Sequence, residues 1–478
     1  MHWVPSIVRR PSGHSSKPPP ADMSAARRVH IVGVGGPGTS AIAIILREMG
    51  HAVSGSDVRE SPVLDRLREL GVQVNVPHDA RAVSGCDIVT HSAAVRATNV
   101  ELVAARESAT RVFSRAEMLG WICVQTRTIA VAGTHGKTTT TTLLTLMLRA
   151  GGVDAGYLIG ADVPQLPRSA HWGGDLFVIE ADESDSSHRA IKPQATILTN
   201  VDVDHLDEHG SFDGIVASFD DYLGEVPGAK VLCADDTTTA RLAKKHSAST
   251  YGLGEADVRA SGLRFVPGGV RFAVTDSGST HDVALPLRGE HNVRNFLGAY
   301  AMARHLGVEP QVAIGAVRDF TGVNRRFEVR ARDGGATFVD DYAHLPAEIS
   351  AVLAAVKAEA AGWKRVIAVF QPNRFNRMAV MSDAYRDAFV DADVVVVTDI
   401  YASGTDRIEG VTGRLVVDAI RAAHPRARVE WREHRNELVD FVARECGDGD
   451  LCISMGCGDI ETFPDEVVAR RRELSRGD

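Results

Sequence analysis

The chain is poor in cysteine and contains no long apolar run. Its 478 residues include six cysteines, none of them at CxxC spacing, which argues against a disulfide framework or a zinc site and fits a reducing cytoplasm. No apolar stretch approaches the ~20 residues that a membrane-spanning helix needs. We therefore expect a cytoplasmic protein without membrane insertion.

An excess of positive charge is also missing. Lysine and arginine total 53 against 62 aspartate and glutamate residues, which gives a formal net charge of −9. This balance argues against non-specific binding of nucleic acid. The hydrophobic content of 44% and the charged content of 24% are typical of a soluble globular protein. The length of 478 residues predicts about three domains of ~150 residues each.

A glycine-rich turn before a lysine is the most informative segment. Residues Gly133–Thr139 follow the apolar run Thr128–Ala132, so the sequence predicts a buried strand, a tight turn and a helix start. Backbone N–H groups in such a turn bind phosphate oxygens, helped by the helix dipole. Lys137 can neutralise the β- and γ-phosphates, and the Thr138 hydroxyl can bind Mg²⁺. The Walker pattern would place a glycine at Val131, so this loop is a shortened relative that we expect to bind ATP or GTP.

A second glycine motif opens the first part of the chain. Residues Gly33–Gly38 contain Gly-x-Gly-x-x-Gly after an apolar strand, and Asp57 follows the next strand at the spacing of a ribose-binding acid. Pro37 removes one N–H donor from this turn. The motif predicts a dinucleotide-like ligand. NAD and a UDP-sugar both fit, because each presents a pyrophosphate and a ribose.

Acidic residues follow the predicted strand Leu176–Glu180. Four of them lie between Glu180 and Asp185. A solvated loop would explain such a cluster, but an unpaired charge on Glu180 within the apolar strand would be costly, and Mg²⁺ would compensate it. His205 follows a later strand, and we interpret it as a second metal ligand or an acyl-phosphate contact.

Short apolar runs alternate with helical patterns along the chain. Because these runs are continuous, they predict strands buried on both faces of mostly parallel sheets, and hence an α/β fold. The predicted strands are Val29–Val34, Ala52–Gly55, Asp87–Thr90, Thr128–Ala132, Leu176–Glu180, Ala195–Asn200, Lys230–Cys233, Arg365–Phe370, Asp393–Asp399 and Leu451–Met455. Residues 253–286, with a turn at Pro267–Gly269, predict a small antiparallel insertion.

The same pattern divides the chain. Residues 1–27 lack the apolar segment of a secretory signal, and we expect them to form a disordered arm. Domains are predicted over residues 28–126, 127–325 and 326–478.

A dehydrogenase has no use for a second, lysine-bearing phosphate loop, and a simple kinase has no use for the first glycine motif. A ligase that uses ATP to activate a nucleotide-carried acid needs both.

Several segments, in this order, resemble those of the Mur ligases of peptidoglycan synthesis. They are Gly33–Gly38, Arg115–Leu119, Gly133–Thr140, Glu180–Asp185, Asp204–Asp207, His291–Asn295, Arg325–Phe327 and Asp340–His344. The resemblance implies an N-terminal Rossmann-like domain that binds a UDP substrate and a central P-loop ATPase with a mostly parallel sheet. It also implies a C-terminal Rossmann-like α/β domain that completes the ATP and amino-acid sites.

The resemblance also implies an ATP-dependent, ADP-forming amide ligase. ATP would phosphorylate the carboxylate of UDP-N-acetylmuramate, and the amine of a free amino acid would attack the acyl phosphate. Such chemistry depends on positioning and electrostatic stabilisation, so it needs no serine or cysteine nucleophile. The implied cofactors are ATP and Mg²⁺.

Individual residues receive roles from the same resemblance. The catalytic residues would be Lys137, Glu180, His205, Arg326 and His344. The metal ligands would be Thr138, Glu180 and His205. The ATP-binding residues would be Gly133, Thr134, His135, Gly136, Lys137, Thr138, Thr139, His291, Asn292, Asn295, Arg326 and Asp341. The residues that bind the UDP substrate would be Gly35, Gly36, Gly38, Ser56, Asp57, His78 and Ser92. The amino-acid pocket would contain Tyr342, His344, Arg374 and Arg377.

Within the family, the chain resembles the alanine-adding branch. Other Mur ligases carry a carbamoylated lysine downstream of their Asp-His-x-Asp motif, where this chain has Phe219. L-Alanine is therefore the expected amino acid. Departures from the usual family pattern stand at Pro37, His188, Leu345, Asn373 and Thr405. A ligase of a specialised pathway with another amine or acid, and a nucleotide-binding protein without turnover, remain alternatives.

Overall fold

Three separate β-sheets, joined by helical connections, organise the fold. The computed structural model describes residues 25–92, 94–174, 176–182, 187–204, 210–359 and 362–477. We refer to the elements of the three sheets, in chain order, as the N-terminal, central and C-terminal units.

The N-terminal unit contains a parallel sheet. Its strands are β1 Arg28–Val32, β2 Ala52–Ser56, β3 Gln73–Asn75, β4 Ile88–His91 and β5 Arg111–Ser114. Its helices are α1 Pro37–Glu48, α2 Pro62–Glu69, α3 Val100–Glu107 and α4 Arg115–Cys123. The strand order is β3-β2-β1-β4-β5, with all neighbours parallel. The order reverses beside β1, so the glycine turn after β1 lies at the switch point where such sheets bind ligands.

The central unit contains the largest sheet. Its strands are β6 Arg127–Ala132, β7 Ala155–Leu158, β8 Ala170–His171, β9 Leu176–Ala181, β10 Ala195–Leu198, β11 Lys230–Cys233, β12 Ser249–Gly252, β13 Val258–Val266, β14 Gly269–Asp276 and β15 Ser279–Leu285. Its helices are α5 Lys137–Ala150, α6 Ser187–Ala190, α7 Phe212–Glu225, α8 Thr237–His246, α9 Gly289–His305 and α10 Pro310–Ala316. The order is β15-β14-β13-β12-β11-β10-β6-β9-β7-β8. The middle of the sheet is parallel, whereas β13, β14 and β15 form an antiparallel meander at one edge.

The C-terminal unit contains a third, mostly parallel sheet. Its strands are β16 Glu328–Asp333, β17 Ala336–Asp341, β18 Arg365–Phe370, β19 Val394–Val397, β20 Val429–Trp431 and β21 Asp450–Met455. Its helices are α11 Pro346–Lys357, α12 Phe375–Met381, α13 Arg414–Ala423, α14 Arg435–Glu445 and α15 Phe463–Gly477. The order is β16-β17-β21-β18-β19-β20, and β16 alone pairs antiparallel in this sheet.

One apolar core joins the N-terminal and central units. Ile42 of α1 belongs to the same buried cluster as Phe177 of β9 and Phe219 of α7. Helices α4 and α6 also approach closely, because a Cβ at Gly120 would lie 2.6 Å from the Ala190 carbonyl oxygen. These two units therefore pack as one apolar body.

Charged pairs hold the central and C-terminal units together. The two apolar clusters of the C-terminal unit contain residues of that unit only. Across the contact, Arg377 donates to Asp204 Oδ1 at 2.7 Å, and His135 Nδ1 lies 3.1 Å from Glu348 Oε1. In the described part of the chain, no buried apolar cluster spans this contact.

The α/β fold that the sequence predicts is confirmed. The predicted strands Lys230–Cys233 and Arg365–Phe370 match β11 and β18, and the predicted insertion is the meander β13–β15. Sequence reasoning missed several short strands, β5, β7 and β12 among them. Residues 1–24 of the predicted arm lie outside the described residues. Among the helices that the structure describes, none combines the length and apolarity needed to cross a membrane.

Candidate active site

The glycine turn after β6 has the backbone that its sequence predicts. Gly133 has a φ of +122° and Gly136 a φ of +80°, values that favour glycine. Gly136 also lies against the side-chain oxygen of Asn295, so a Cβ there would collide with it. Helix α5 begins directly afterwards, at Lys137. The turn therefore presents backbone donors and a helix N-terminus at one place.

Hydrogen bonds attach this phosphate loop to the residues that follow β10. Asn200 Oδ1 accepts from the His135 N–H at 2.9 Å, and Thr199 Oγ1 donates to the His135 carbonyl at 2.6 Å. Thr134 Oγ1 accepts from the Asp202 N–H at 3.0 Å. Residues 199–202, to which the sequence assigned no individual role, thus fix the shape of the loop.

The Lys137 ammonium lies over the turn that precedes it. Nζ donates to the carbonyl oxygens of Gly133 at 2.6 Å and Thr134 at 3.2 Å. It also lies 3.7 Å from Asp182 Oδ1, in the acidic segment that ends β9. The positive charge is therefore held beside the loop, where it can reach a phosphate group.

Thr138 and Glu180 form the oxygen pair that the sequence predicts as metal ligands. Thr138 Oγ1 donates to Glu180 Oε2 at 3.0 Å, and Glu180 Oε1 accepts from the Gly160 N–H at 2.6 Å. Burial raises the pKa of Glu180, although these hydrogen bonds and the Lys137 charge oppose the rise. A hydroxyl and a buried carboxylate are oxygen donors that suit Mg²⁺, and the ion would compensate the buried charge. The donor set fits the ion.

The third predicted metal ligand, His205, lies outside the described residues, as do Glu183 and Asp185. Among the residues that the structure describes, no group of three His, Cys, Asp or Glu side chains could hold a metal ion. Mg²⁺ usually keeps several waters and takes one or two carboxylates together with substrate phosphates. A site that contains Glu180 and Thr138 is consistent with that coordination preference.

The phosphate loop opens into a cleft of about 380 Å³ lined by both the central and C-terminal units. The predicted ATP ligands on its wall are His135, Gly136, Thr138, Thr139, His291, Asn292, Asn295, Arg326 and Asp341. Gly133, Thr134 and Lys137 belong to the adjoining turn and are not wall residues. The cleft thus collects groups from distant parts of the sequence.

Uncharged side chains of α9 form one part of the cleft wall. Asn295 Nδ2 donates to Asn292 Oδ1 at 3.1 Å, and Asn292 Nδ2 donates to the Arg288 carbonyl at 2.9 Å. Burial, together with the charge of Arg294, lowers the pKa of His291 to about 4. A neutral ring and two amides offer hydrogen bonds and a flat surface to a heterocyclic base.

Arg326 and Asp341 bring the C-terminal unit into the cleft wall. Asp341 accepts from the N–H groups of Phe327 at 2.8 Å and Ala343 at 2.7 Å. Burial raises the pKa of Asp341 to about 6, although Arg326 opposes the rise. The Arg326 guanidinium lies 4.9 Å from the centre of the Tyr342 ring, where cation–π attraction orients it.

The residues predicted to bind the amino acid lie on the C-terminal unit, beside this wall. The rings of Tyr342 and His344 pack edge to face with their centres 5.4 Å apart. Arg374 stands at the start of α12 with a φ of +63°. The expected fork of Arg374 and Arg377 around a carboxylate is not what the structure shows, because the buried Arg377 guanidinium binds Asp204 of the central unit.

Glu348 is a buried acid of the cleft that sequence reasoning missed. Its Oε1 lies 3.1 Å from His135 Nδ1, and Asp202 Oδ2 lies 3.1 Å from His135 Nε2. Although burial alone would lower the pKa of His135, these two carboxylates raise it to about 9. Pro346 followed by a glutamate signals a helix N-terminus. Nothing in the sequence shows, however, that this helix faces the phosphate loop.

The N-terminal unit holds the residues predicted for the UDP substrate, apart from the cleft. The Gly35 N–H donates to Asp57 Oδ2 at 2.9 Å. Ser92 lies beside the glycine turn, since a Cβ at Gly36 would be 4.0 Å from its hydroxyl. A Cβ at Gly38 would collide with the Arg115 guanidinium. Arg115 therefore lies over the start of α1.

A buried acid holds two further predicted residues of this group. Ser56 Oγ lies 2.8 Å from His78 Nδ1, and both contact Glu101 Oε2. Although burial opposes the effect, hydrogen bonds from His30, Ser56 and the Asp79 N–H lower the pKa of Glu101. Sequence reasoning missed Glu101, because α3 is joined to β2 only through the tertiary fold.

The departure at His188 and the residue Phe219 belong to one packing arrangement. Both side chains are buried, and their ring centres lie 5.7 Å apart. His188 Nε2 also lies 2.7 Å from Ser218 Oγ. An aromatic core contact therefore occupies position 219, where the resemblance would place a modified lysine in other branches of the family.

The remaining described departures have local structural partners. Thr405 Oγ1 accepts from the Phe375 N–H at 2.9 Å, at the start of α12. Asn373 Oδ1 accepts from Arg377 Nη1 at 2.8 Å, and Leu345 is buried in the C-terminal unit. These residues shape the segment around the predicted amino-acid pocket.

Family models and related proteins match this chain over most of its length. Family models match residues 28–127 (Mur ligase family, catalytic domain), 131–303 (Mur ligase middle domain) and 325–458 (Mur ligase, glutamate ligase domain). The chain is 41% identical over 448 residues to the UDP-N-acetylmuramate–L-alanine ligase of Rubrobacter xylanophilus, with 93% of this chain and 100% of that protein covered. It is 39% identical over 459 residues to the enzyme of the same name from Paenarthrobacter aurescens, with 94% and 98% covered.

A solved structure is similar over nearly the whole chain. The UDP-N-acetylmuramate–alanine ligase MurC of Thermotoga maritima has a TM-score of 0.79 at 27% identity, and the match covers 94% of this chain and 100% of that one. The murein peptide ligase of Psychrobacter arcticus shares the fold, with a TM-score of 0.69 at 24% identity and 93% and 98% of the two chains covered.

Proposed function

The chain belongs to the Mur ligase family, and from that premise we propose that it joins L-alanine to the carboxylate of UDP-N-acetylmuramate with ATP. The reaction releases ADP and phosphate through an acyl-phosphate intermediate. The observation that carries the proposal is the phosphate loop whose Thr138 meets Glu180 at a two-unit cleft. A separate glycine turn on the N-terminal unit, hydrogen-bonded to Asp57, is the proposed site of the nucleotide-bound acid.

ATP occupies the cleft in this proposal. Its phosphates lie on the Gly133–Thr139 loop, next to the Lys137 ammonium. Asn292, Asn295 and the neutral His291 face the base, and Arg326 and Asp341 contact the phosphates and ribose. Fixed positive charge near the migrating phosphoryl group stabilises its oxygens without reorganisation.

Thr138 and Glu180 would hold Mg²⁺ in this site, together with His205, which the sequence predicts as a further ligand. When bound, Mg²⁺ neutralises negative charge on the phosphate oxygens. Glu180 is prepared for this role, because the Gly160 N–H and the Thr138 hydroxyl fix the orientation of both its oxygens.

The incoming amine must be neutral when it attacks. His344 is suited to take up its proton, since burial lowers the pKa of His344 and keeps the ring neutral. His344 Nδ1 lies 3.1 Å from the Tyr342 carbonyl and donates to it, so Nε2 is the acceptor nitrogen. Tyr342, Arg374 and Arg377 complete the pocket, with Arg377 fixing its position against the central unit through Asp204.

The UDP group of the acid lies on the N-terminal unit in this proposal. The turn at Gly35, Gly36 and Gly38 contacts the pyrophosphate, beside Ser92. Ser56 ends β2, Asp57 follows it and His78 follows β3, on the side where such sheets bind nucleotides. The buried Glu101 keeps Ser56 and His78 in place.

We also propose the location of the enzyme and its domain limits. UDP-N-acetylmuramate and ATP are cytoplasmic metabolites, so the enzyme works in the cytoplasm. The limits predicted near residues 126 and 325 fall between α4 and β6 and between α10 and β16. They support an N-terminal domain packed on a central ATPase, followed by a C-terminal domain.

The test supplies purified protein with ATP, Mg²⁺ and UDP-N-acetylmuramate, together with each of the twenty amino acids in turn. Product is detected by mass spectrometry, and ADP and phosphate are measured in parallel. We expect ADP formation only when both the acid and L-alanine are present. Preferred turnover of another amino acid or acid would replace the substrate assignment with that of a specialised ligase. ATP binding without turnover on any acid would refute the proposed ligase activity.

A further inference from the structure

Glu348 lies between two parts of the proposed active site that belong to different units. Its side chain is 14% exposed, at the first turn of α11. Oε1 faces the phosphate-loop residue His135 at 3.1 Å. Oε2 accepts from the His344 N–H at 2.9 Å and lies 3.3 Å from His344 Nδ1. Each carboxylate oxygen therefore serves one of the two sites.

His135 completes the connection on the side of the central unit. Both of its ring nitrogens face carboxylates, Nε2 towards Asp202 and Nδ1 towards Glu348. An imidazole donates from both nitrogens only when it is doubly protonated. His135 is therefore a cation between an acid of its own unit and an acid of the C-terminal unit. Hydrogen bonds of this charged kind are shorter and stronger than neutral ones.

His344 is fixed on the other side of Glu348. Its ring contacts the Tyr342 carbonyl at 3.1 Å, and its own carbonyl accepts from the Tyr385 hydroxyl at 2.7 Å. Glu348 binds the backbone N–H of the same residue. Because Glu348 also contacts His135, the position of His344 is tied to that of the phosphate loop.

We propose that Glu348 is a positioning residue that couples the phosphate loop to the amino-acid pocket. Binding of the amino acid then depends on a loop that the amino acid does not contact. This inference rests on the proposed function, which supplies the pocket at His344. Loss of the Glu348 charge leaves the groups of both sites present but releases one from the other. Amino-acid binding is weakened because His344 is no longer held in register with the phosphoryl group.

Glu359 provides a matched control for this proposal. It is buried just after the end of α11, accepts from the Gly268 N–H at 2.9 Å and pairs with Arg288. Like Glu348, it joins the central and C-terminal units through a carboxylate. Its described partners, however, lie on the β13–β14 turn and before α9, not on the phosphate loop or at His344.

The test measures the KM for L-alanine and the KM for ATP in the full-length enzyme, in Glu348→Gln and in Glu359→Gln. We expect Glu348→Gln to raise the KM for L-alanine about tenfold and the KM for ATP less than about threefold, the scale of one charged hydrogen bond. Glu359→Gln should move neither KM by that much. Equal rises in both constants, or the same rise in Glu359→Gln, would overturn the coupling.

The same assay separates this inference from the proposed function. Wild-type turnover with L-alanine tests the function alone. If the wild-type enzyme prefers another amino acid, the substrate assignment fails, and the three proteins are compared with that amino acid instead. A normal KM in Glu348→Gln with active wild-type enzyme overturns the coupling only.

His135→Asn offers a second test that does not depend on the folding of Glu348→Gln. The His135 side chain belongs to the phosphate loop, yet the variant should raise the KM for L-alanine in the same direction. The double variant should be no worse than the more affected single variant, because both changes break one link. An unchanged KM for L-alanine in His135→Asn, or additive effects, would contradict the proposal.

Discussion

The central unit contacts its two neighbours in different ways. It shares one apolar core with the N-terminal unit, to which Glu48 adds pairs with Arg168 and His171. No apolar cluster of the described residues spans its contact with the C-terminal unit, which includes the pairs Arg377–Asp204, His135–Glu348 and Arg288–Glu359. Separating two units that share an apolar core exposes apolar surface to water, which costs free energy. Charged groups that separate are hydrated by water, which offsets much of the lost attraction. From this difference we expect the N-terminal unit to stay fixed on the central unit and the C-terminal unit to be the part that moves.

The position of the proposed chemistry follows the same division. The phosphate loop, Thr138 and Glu180 belong to the central unit, and the amino-acid residues belong to the C-terminal unit. An ATP site lined by both units is complete only when the polar contact is closed. We therefore expect closure of the C-terminal unit over ATP to bring the amine to the acyl phosphate.

The largest effect on turnover should come from Lys137, which takes part in neither of the two contacts described between units. Lys137→Ala removes the ammonium beside the phosphate loop, so we expect kcat to fall about a thousandfold, as for loss of a preorganised charge donor. Affinity for UDP-N-acetylmuramate should stay within about twofold, because distant sites act independently. Steady-state kinetics and calorimetric titration check both values. Parallel loss of both properties would mean that the N-terminal unit does not bind the acid on its own.

Raising the pH should weaken the contact between the central and C-terminal units and leave the apolar core shared with the N-terminal unit unchanged. The pKa of His135 is raised from 6.5 to about 9, so its pairing with Asp202 and Glu348 is fully present below pH 6.5 and is lost as pH rises through about 9. The change is on the order of 3 kcal/mol at most. Thermal unfolding between pH 6 and 10 should show this loss in the wild type. His135→Asn should lack it, and an identical pH dependence in the variant would remove His135 as the cause.

Crowding the apolar contact should destabilise the protein at every pH. In Gly120→Val even the added Cβ would lie 2.6 Å from the Ala190 carbonyl oxygen. Overpacking of this kind lowers the free energy of unfolding by about 2 kcal/mol. Urea unfolding measures the loss. Gly315→Ala is the control, since no atom lies within 4 Å of its Cβ position. A Gly120→Val protein as stable as Gly315→Ala would show that the contact between α4 and α6 is looser than described.

The smallest effect should come from an exposed ion pair at the apolar contact. Arg66 of the N-terminal unit lies 3.6 Å from Asp162 of the central unit, with the two side chains 61% and 53% exposed. Arg66→Ala should change the free energy of unfolding by less than about 0.5 kcal/mol, because solvent screens such pairs. Denaturant titration at low and high salt checks this. A larger loss would mean that this pair contributes more to the contact than an exposed ion pair should.

Much of the phosphate site could be predicted because its signals are local or follow from sheet geometry. The loop Gly133–Thr139 needs positive φ values that only its glycines adopt easily. Glu180 could be placed beside it because β6 and β9 are parallel neighbours, with Val131 opposite Glu180. The carboxyl ends of parallel strands meet at one edge, so the Thr138–Glu180 contact follows from two segments read separately.

Glu348 and Glu101 could not be predicted, since each acts through the packing of a helix on another part of the chain. The first turn of α11 reads as an ordinary helix start, and α3 gives no sign that Glu101 faces Ser56. The pairing of Arg377 with Asp204 could not be predicted for the same reason. An arginine that suits a carboxylate ligand suits Asp204 equally well, and only the fold decides between them.

The meander β13–β15 has a mechanical consequence for the C-terminal unit. Its first turn, at Gly268, reaches Glu359, while the phosphate loop holds Glu348 near the opposite end of α11. Glu348 and Glu359 are eleven residues apart along this helix and its end, so at 1.5 Å per residue the two anchors stand about 16 Å apart. Motion of the C-terminal unit away from the central unit therefore has to release both anchors, the one at Gly268 as well as the one at the phosphate loop.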